Sequence, residues 1–184
     1  MSKAIESAVA ALKQGGIIAY PTEAVFGLGC DPDNESALER LLELKQRPQE
    51  KGLIIIAASY EQLQPYIQPL ANKQKEKVES TWPGSITWLL PVNKNVSRLL
   101  RGEHETIAAR VTAHPVASKL CQQYGKPVVS TSANVAGLAP ARSVGEVIQQ
   151  FNKQVDYILD GEVDLEANPS EIRDLLTDRI IRKS

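Results

Sequence analysis

The stretch VVSTSANVAG, residues 128–137, runs from two branched apolar side chains into a cluster of hydroxyl and amide groups. The two valines are typical of a buried strand. Ser132 and Asn134 then alternate with Ala133, so both polar side chains project to one side if the segment stays extended. They would then form one wall of a ligand site. The alternative is a turn in which the same side chains bond the local backbone.

Helical and extended segments alternate on both sides of this stretch, a pattern typical of α/β (mixed α+β) proteins. Apolar positions at helical spacing, caps and terminating glycines predict helices over about residues 5–12, 35–47, 115–124 and 144–151. Short apolar runs predict strands over residues 17–19, 53–57, 86–90, 107–111, 128–130, 157–159, 171–175 and 180–182. The central runs are apolar almost throughout, which favours strands covered on both faces.

Length and composition limit the function classes. The 184 residues are 42% hydrophobic, enough for one globular domain with a buried core. The formal net charge is -1, so the chain lacks the overall positive field of most nucleic-acid-binding proteins. No apolar run approaches ~20 residues and the first residues do not resemble a signal peptide, so we expect a cytoplasmic protein without a membrane span. Two distant cysteines fit neither a disulfide framework nor a CxxC zinc site.

Three cations cluster where the second predicted helix ends, around LKQRP. Lys45 and Arg47 face the negative end of the helix dipole there, and a dipole cap alone would explain them. Lys51 lies four residues beyond Arg47, just before the next strand. Three neighbouring cations suit a polyphosphate, so the cluster is a candidate phosphate site.

Two other strand regions carry polar or charged residues. YPTEAVFGLG, residues 20–29, places Thr22 and Glu23 just after a strand end, where open α/β sheets usually bind ligands. An ordinary strand-to-loop transition has the same composition. Arg110 lies inside the apolar run IAARV, where an unpaired guanidinium is costly. It therefore requires an anionic partner, which is either a protein carboxylate or a substrate carboxylate.

Arg142 stands at the start of the last predicted helix. It precedes Ser143, and Glu146 follows three residues after that serine, which is the spacing of a capping box. The positive end of the helix dipole gives a cation no support at this position. A cation placed there suggests a ligand.

Five motifs occur in an order that resembles the YrdC/TsaC family over nearly the whole chain: PTEAVFGLG, the K-x-R of LKQRP, ARVTAHP, STSAN and NPSEIRD. The resemblance implies a single YrdC-like domain over residues 1–184, with a twisted mixed β-sheet flanked by helices and a concave, basic ligand face. It also implies an L-threonylcarbamoyladenylate synthase, a nucleotidyltransferase that condenses L-threonine, bicarbonate and ATP to threonylcarbamoyl-AMP and pyrophosphate. The product would feed the threonylcarbamoyladenosine modification at position 37 of tRNA.

The same resemblance assigns site residues by position. Those expected to bind the nucleotide are Lys45, Arg47, Lys51, Asn134, Arg142 and Arg182. Those expected to bind threonine are Thr22, Arg110, Ser132 and Ser170. No protein nucleophile and no protein metal ligand are implied, so catalysis would rest on positioning and electrostatics, with Mg²⁺ arriving on ATP. Two residues depart from the family. Ala24 stands where many relatives carry a threonine, and Ile56 stands where some carry a histidine. Both departures would remove polar contacts near the expected site for the substrate threonine.

The expected partners are the tRNA threonylcarbamoyl-transfer machinery downstream and, weakly, tRNA or double-stranded RNA. A rival function is a double-stranded RNA-binding or ribosome-maturation protein without catalysis. Arg110 argues against it, because duplex RNA needs exposed, phosphate-spaced cations rather than a charge inside an apolar strand. A sensor that binds a nucleotide without turnover is a third alternative.

Overall fold

The computed structural model describes residues 2–183. The α-helices in this range are α1 (Ser2–Lys13), α2 (Glu35–Leu44), α3 (Tyr60–Leu63), α4 (Asn72–Glu79), α5 (Arg98–Arg101), α6 (Pro115–Tyr124) and α7 (Val144–Phe151). The strands are β1 (Ile18–Pro21), β2 (Phe26–Gly29), β3 (Ile54–Ala57), β4 (Ile86–Pro91), β5 (Thr106–Val111), β6 (Val128–Ser132), β7 (Tyr157–Ile158), β8 (Glu171–Asp174) and β9 (Ile180–Arg182). Short 3-10 turns cover Gln49–Lys51 and Asn152–Gln154. None of these helices is long and apolar enough to cross a membrane.

The strands form one mixed sheet in the order β7-β1-β2-β6-β3-β5-β4-β8-β9. The pairs β1/β7, β3/β5 and β4/β8 are parallel, and the other neighbours are antiparallel. Helices flank the sheet, so the predicted mixed α/β architecture is confirmed.

Side chains of the central strands alternate between two hydrophobic clusters. On β3, Ile55 and Ala57 belong to the cluster that includes α2 and α7, whereas Ile56 belongs to the cluster that includes α1 and α6. All three are fully buried. This packing on both faces explains why the strand reads as a continuous apolar run.

Two predicted helix caps are confirmed. Asn34 Oδ1 accepts a hydrogen bond of 3.0 Å from the Ala37 N–H, and Ser143 Oγ accepts one of 3.2 Å from the Glu146 N–H. Each side chain satisfies a backbone donor that has no partner within its own helix. The two caps fix where α2 and α7 begin.

Helix α2 ends at Leu44, earlier than the predicted limit before Pro48. Gln46 adopts a left-handed conformation with a φ of 47°, and the Arg47 N–H bonds back to the carbonyl of Leu42. This turn stops the helix and carries the chain toward β3.

The sequence patterns do not predict β2, because its composition, FGLG, is half glycine. The glycines are required by packing. A Cβ on Gly29 would lie 2.1 Å from the backbone oxygen of Val129. Only glycine permits this approach to β6, so a local pattern that disfavours a strand is overridden by tertiary contact.

Candidate functional site

A cavity of about 460 Å³ opens on one face of the sheet. Its lining includes Ile54 of β3, Ala108 and Arg110 of β5, and Ser130 and Ser132 of β6. Ile54 pairs in register with both Ala108 and Ser130, so neighbouring strands present these side chains together. The loop after β1, the segment after α2 and the chain around β8 and β9 contribute the remaining lining.

Most of the site residues predicted from the sequence line this cavity, although their motifs are far apart in the chain. Those that line it are Thr22, Arg47, Lys51, Arg110, Ser132, Ser170 and Arg182. Those that do not line it are Lys45, Asn134 and Arg142.

Positive charge exceeds negative charge in the cavity. Among the described residues its lining contains one carboxylate, that of Glu23, against five Lys and Arg side chains: Arg47, Lys51, Arg101, Arg110 and Arg182. An apolar floor beneath so many cations strengthens their field. The cavity therefore favours a ligand with several negative charges.

The cations lie toward two ends of the cavity. Arg110 is near the carboxyl end of β5, whereas Thr106 begins that strand and Arg101 precedes it. Four residues of strand separate Thr106 from Arg110, roughly 13 Å. Lys51 precedes β3, which runs parallel to β5, and so lies toward the same end as Arg101. A ligand with two separated charged groups fits this arrangement.

The anionic partner of Arg110 is Glu23. Arg110 Nη2 lies 3.0 Å from Glu23 Oε2, with the side chains 8% and 18% exposed. Glu23 Oε1 accepts hydrogen bonds from Thr112 Oγ1 at 2.7 Å and from the Ala113 N–H at 3.2 Å. Glu23 Oε2 is buried without a hydrogen-bond partner, because its contact with Arg110 Nη2 lacks hydrogen-bond geometry, and Arg110 Nε is likewise buried without a partner. Arg110 therefore has a protein carboxylate beside it and still keeps donors for a ligand.

Arg182 and Ser170 join the two C-terminal strands at the cavity. Arg182 donates from Nε and Nη2 to the Ser170 carbonyl at 3.1 and 2.6 Å, and from Nη2 to Ser170 Oγ at 3.0 Å. Burial, and then the charges of Arg110 and Arg47, lower the pKa of Arg182. A bound anion would relieve this repulsion of Arg182 by the other two guanidinium groups.

The other end of the cavity contains Arg47, Lys51 and Arg101. Arg47 Nε donates to the Gly52 carbonyl at 2.9 Å, and burial lowers the pKa of Arg47. Arg101 Nη1 donates to the His104 carbonyl at 2.8 Å. The Lys51 side chain makes no hydrogen bond or ion pair within residues 2–183, and its backbone N–H donates to the Pro48 carbonyl. Two of these cations are held in place by the backbone, and the third is free to reach a ligand.

Lys45 packs against the end of β6. Its Nζ donates to the carbonyl oxygens of Ser132 and Asn134, the former at 2.7 Å, and to Asn134 Oδ1 at 2.9 Å. Ser132 Oγ also donates to Asn134 Oδ1 at 2.6 Å, so these side chains bond locally as well as facing a site. Burial, and then Arg47, lower the pKa of Lys45 to about 8. Lys45 thus fixes the segment that brings Ser132 into the cavity.

Arg142 has protein partners. Its Nη1 donates to the Leu165 carbonyl at 2.6 Å, and its N–H donates to Glu146 Oε2 at 2.7 Å. The glutamate therefore bonds one residue before the N-cap, and the predicted capping box is only half formed. The cation at the helix start is explained here by a backbone carbonyl.

The two departures from the family pattern occupy different environments. Ala24 lines the cavity. Ile56 does not line it, because this side chain is fully buried in the cluster that includes α6. An apolar residue at position 56 therefore completes the core beside Arg110, its register partner.

The sequence patterns do not identify some of the lining residues as ligand contacts. These residues include Glu23, Arg101, Ser130 and Asn168. In the sequence, Glu23 stands out only as part of the loop after the first strand. Arg101 ends the short helix α5, RLLR, where no local pattern marks a ligand contact, so only its position beside Gly52 reveals it. Within residues 2–183, no group of three or more His, Cys, Asp or Glu side chains is placed to hold a metal ion.

Comparison with known proteins places these features in a family. The Sua5/YciO/YrdC family model, described as "Telomere recombination", matches residues 10–184. The chain is similar to the threonylcarbamoyl-AMP synthase of Photobacterium profundum, with 54% identity over 181 residues, 97% of this chain and 98% of the relative. It is similar to the protein of the same name from Klebsiella pneumoniae, with 53% identity over 184 residues, 99% of this chain and 96% of the relative.

Solved structures agree. P. abyssi Sua5 complexed with L-threonine has a TM-score of 0.87 and 33% identity, covering 94% of this chain and 51% of that one, so the chain spans about half of that protein. E. coli YciO has a TM-score of 0.86 and 29% identity, covering 100% of this chain and 90% of that one. The match to the family model over almost all of the sequence establishes that the chain belongs to the Sua5/YciO/YrdC family.

Proposed function

We propose that the protein is a threonylcarbamoyl-AMP synthase, which condenses L-threonine, bicarbonate and ATP to threonylcarbamoyl-AMP and pyrophosphate. The observation that carries the proposal is the elongated cationic cavity, with Arg110 toward one end and Arg47 and Lys51 toward the other. Relatives with this name are more than half identical over almost the full chain, which supports the assignment.

L-Threonine is assigned to the end of the cavity that contains Arg110. The guanidinium would hold the carboxylate through parallel hydrogen bonds, which leaves the amine free to react. Ser132, Ser170 and Thr22 supply hydroxyl groups nearby. Thr22 Oγ1 donates to the Val25 carbonyl at 2.6 Å, so it offers a ligand its lone pairs. The complex of P. abyssi Sua5 with L-threonine supports this choice of amino acid.

ATP is assigned to the end that contains Arg47 and Lys51, with Arg182 between the two ligands. Lys45 and Asn134 would act on the nucleotide through the end of β6 that they hold, and Arg142 through the segment around Leu165. Mg²⁺ would be carried by the phosphate oxygens, because Glu23 is the one described carboxylate in the cavity lining.

The chemistry needs no protein nucleophile. The amine of threonine captures bicarbonate as a carbamate, and a carbamate oxygen then attacks the α-phosphorus of ATP, with pyrophosphate as the leaving group. The chain contributes by holding the two reactants in line and by neutralising charge on the phosphates. The basic groups of the cavity are suited to both tasks.

The product is a reactive mixed anhydride, so it requires an acceptor enzyme close by. We assign that role to the tRNA threonylcarbamoyl-transfer machinery, which would use it at position 37 of tRNA in the cytoplasm. The rival function, a double-stranded RNA-binding or ribosome-maturation protein, finds no support. The cations of a double-stranded RNA-binding protein would need to face an extended phosphate backbone, whereas the cations described here line one cavity.

Pyrophosphate release tests the proposal. The protein is incubated with ATP, Mg²⁺ and bicarbonate, with and without L-threonine, and the adenylate product is identified by mass spectrometry. We expect release that depends on both threonine and bicarbonate. Release that is independent of threonine, or binding of ATP without turnover, would contradict a synthase and favour a hydrolase or a sensor.

A further inference from the structure

We propose that Glu23 binds the amino group of the amino-acid substrate and takes its proton, which generates the amine that reacts. The inference rests on the proposed function and assigns a catalytic residue to it. An α-amino acid enters a site at neutral pH as a zwitterion, and its ammonium group has no lone pair. A synthase that uses this nitrogen as a nucleophile must first remove a proton from it.

Among the described residues, the cavity lining offers two side chains that could accept this proton, Glu23 and His104. His104 precedes β5 and lies toward the end assigned to the phosphates. Glu23 contacts Arg110, the residue assigned to the substrate carboxylate. Only Glu23 is therefore placed to act on the amine of the same molecule.

The pair formed by Arg110 and Glu23 complements a zwitterion. Their charged atoms lie 3.0 Å apart. An α-amino acid carries its carboxylate and ammonium roughly 3 Å apart by ordinary covalent geometry. Head-to-tail pairing would set the substrate carboxylate against the guanidinium and the ammonium against the carboxylate of Glu23. A ligand that lacks the amino group would leave half of this arrangement unmatched.

Each partner of this ion pair has one buried atom without a hydrogen bond. These atoms are Glu23 Oε2, which lies 3.0 Å from Arg110 Nη2, and Arg110 Nε, and buried polar atoms without a hydrogen bond are rare in proteins. Glu23 Oε1, by contrast, is fixed by Thr112 and Ala113. The guanidinium must turn toward a substrate carboxylate before Oε2 is uncovered. The carboxylate is therefore recognised first, and the amine is deprotonated only in a molecule that carries both groups.

The proton moves from the substrate ammonium group to the carboxylate of Glu23. One N–H bond of the ammonium breaks, its electron pair stays on nitrogen, and an O–H bond forms at Glu23 Oε2. The neutral amine then adds to bicarbonate and expels water to give the carbamate. Glu23 returns its proton to solvent when the product leaves. No oxidant, reductant or further reactant is required.

The charges around Glu23 favour this role. Two carboxylates around one guanidinium repel each other, which favours a proton on one of them once the substrate carboxylate has bound. The other cations that line the cavity are Arg47, Lys51, Arg101 and Arg182. Asp164 also lies near Glu23, since its N–H donates to the Glu23 carbonyl at 2.9 Å.

Glu23→Gln is the decisive variant, since the amide oxygen can still accept from Thr112 and Ala113. Calorimetric titration would compare L-threonine with 2,3-dihydroxybutanoate, which has a hydroxyl in place of the amino group. We expect the natural protein to prefer threonine at least about tenfold and the variant to lose that preference. Threonine-dependent pyrophosphate release should fall about a hundredfold at pH 7. It should then rise tenfold per pH unit, because the variant can use only amine that is already neutral in solution.

Controls separate this role from simple support of Arg110. Glu39→Gln makes the same chemical change on α2, outside the cavity, and should behave like the natural protein in both measurements. Equal weakening of both ligands by Glu23→Gln, retained preference for threonine, or an unchanged pH profile would each overturn the inference while the synthase assignment stands. Absence of threonine-dependent release from the natural protein would instead overturn the proposed function and this inference together.

Discussion

Lys45 Nζ lies 2.7 Å from the carbonyl oxygen of Ser132, which ties the end of α2 to the end of β6. The ammonium also donates a hydrogen bond to Asn134, so the lysine and the arginine of the K-x-R motif have different roles. Its lysine holds the strand that bears a site residue, and its arginine lines the cavity.

Lys45→Met should therefore destabilise the fold. The substitution keeps most of the side-chain volume but leaves partly buried oxygens of Ser132 and Asn134 without their donor, and we expect a loss of about 1.5–3 kcal/mol in the free energy of unfolding. Urea denaturation measures it, with exposed Lys13→Met as the control. Unchanged stability would show that these hydrogen bonds do not hold β6.

Arg47→Ala should act mainly on binding. The side chain gives up one hydrogen bond to Gly52, so stability should fall by about 1 kcal/mol. Affinity for ATP should fall at least about tenfold, because a cation at the phosphate end is lost. Calorimetry and denaturation on the same samples check the contrast. If the variant is largely unfolded but its folded fraction binds ATP with normal affinity, Arg47 has a structural role instead of a binding role.

Arg110→Lys should weaken threonine binding and leave ATP binding intact. Lysine keeps the positive charge beside Glu23 but lacks the planar fork that grips a carboxylate with two hydrogen bonds. Separate titrations with the two ligands decide the matter. Unchanged threonine affinity would exclude Arg110 as the carboxylate anchor, and equal loss of both ligands would indicate a general structural defect.

Arg101→Gln should weaken inorganic pyrophosphate binding by about tenfold while AMP binding persists, because Arg101 lies toward the end assigned to the terminal phosphates. Arg98→Gln is the matched control, three residues earlier on the same short helix and outside the cavity lining. Retained AMP binding certifies that each variant is folded. Equal pyrophosphate affinity in the two variants would exclude Arg101 from the phosphate site.

We expect the ionised Asp31 to contribute to the stability of the fold in a way that depends on pH. Burial would raise its pKa, but hydrogen bonds from Lys126 and Tyr124 outweigh burial and lower it below the ordinary value of 3.8. A lowered pKa stabilises the fold above the unfolded value, and this contribution is lost as pH falls through the folded value. Asp31→Asn should therefore be less stable at pH 7, with a gap that narrows on acidification. Denaturation at several pH values measures the gap, and a constant difference would contradict this account.

Local patterns sufficed for most of the secondary structure. Apolar spacing and caps placed α1, α6 and α7, and short apolar runs placed the central strands, because these elements bury one stripe or both faces in ways that composition records. The local patterns failed at two places. In β2 the glycines allow close contact with the neighbouring strand, and at the end of α2 a residue in the left-handed conformation turns the chain.

The sequence by itself determined which residues are candidates for the chemistry, since a charge such as Arg110 inside an apolar run must have an anionic partner. Only the tertiary structure decided which of those residues face one cavity. Contacts such as Glu23 with Arg110, or Lys45 with Ser132, join segments 87 residues apart. The direction in which a side chain points depends on strand register and on what packs behind it, and neither is encoded within one motif. For that reason K-x-R could be recognised as a unit in the sequence, whereas the separate tasks of its two cations could not.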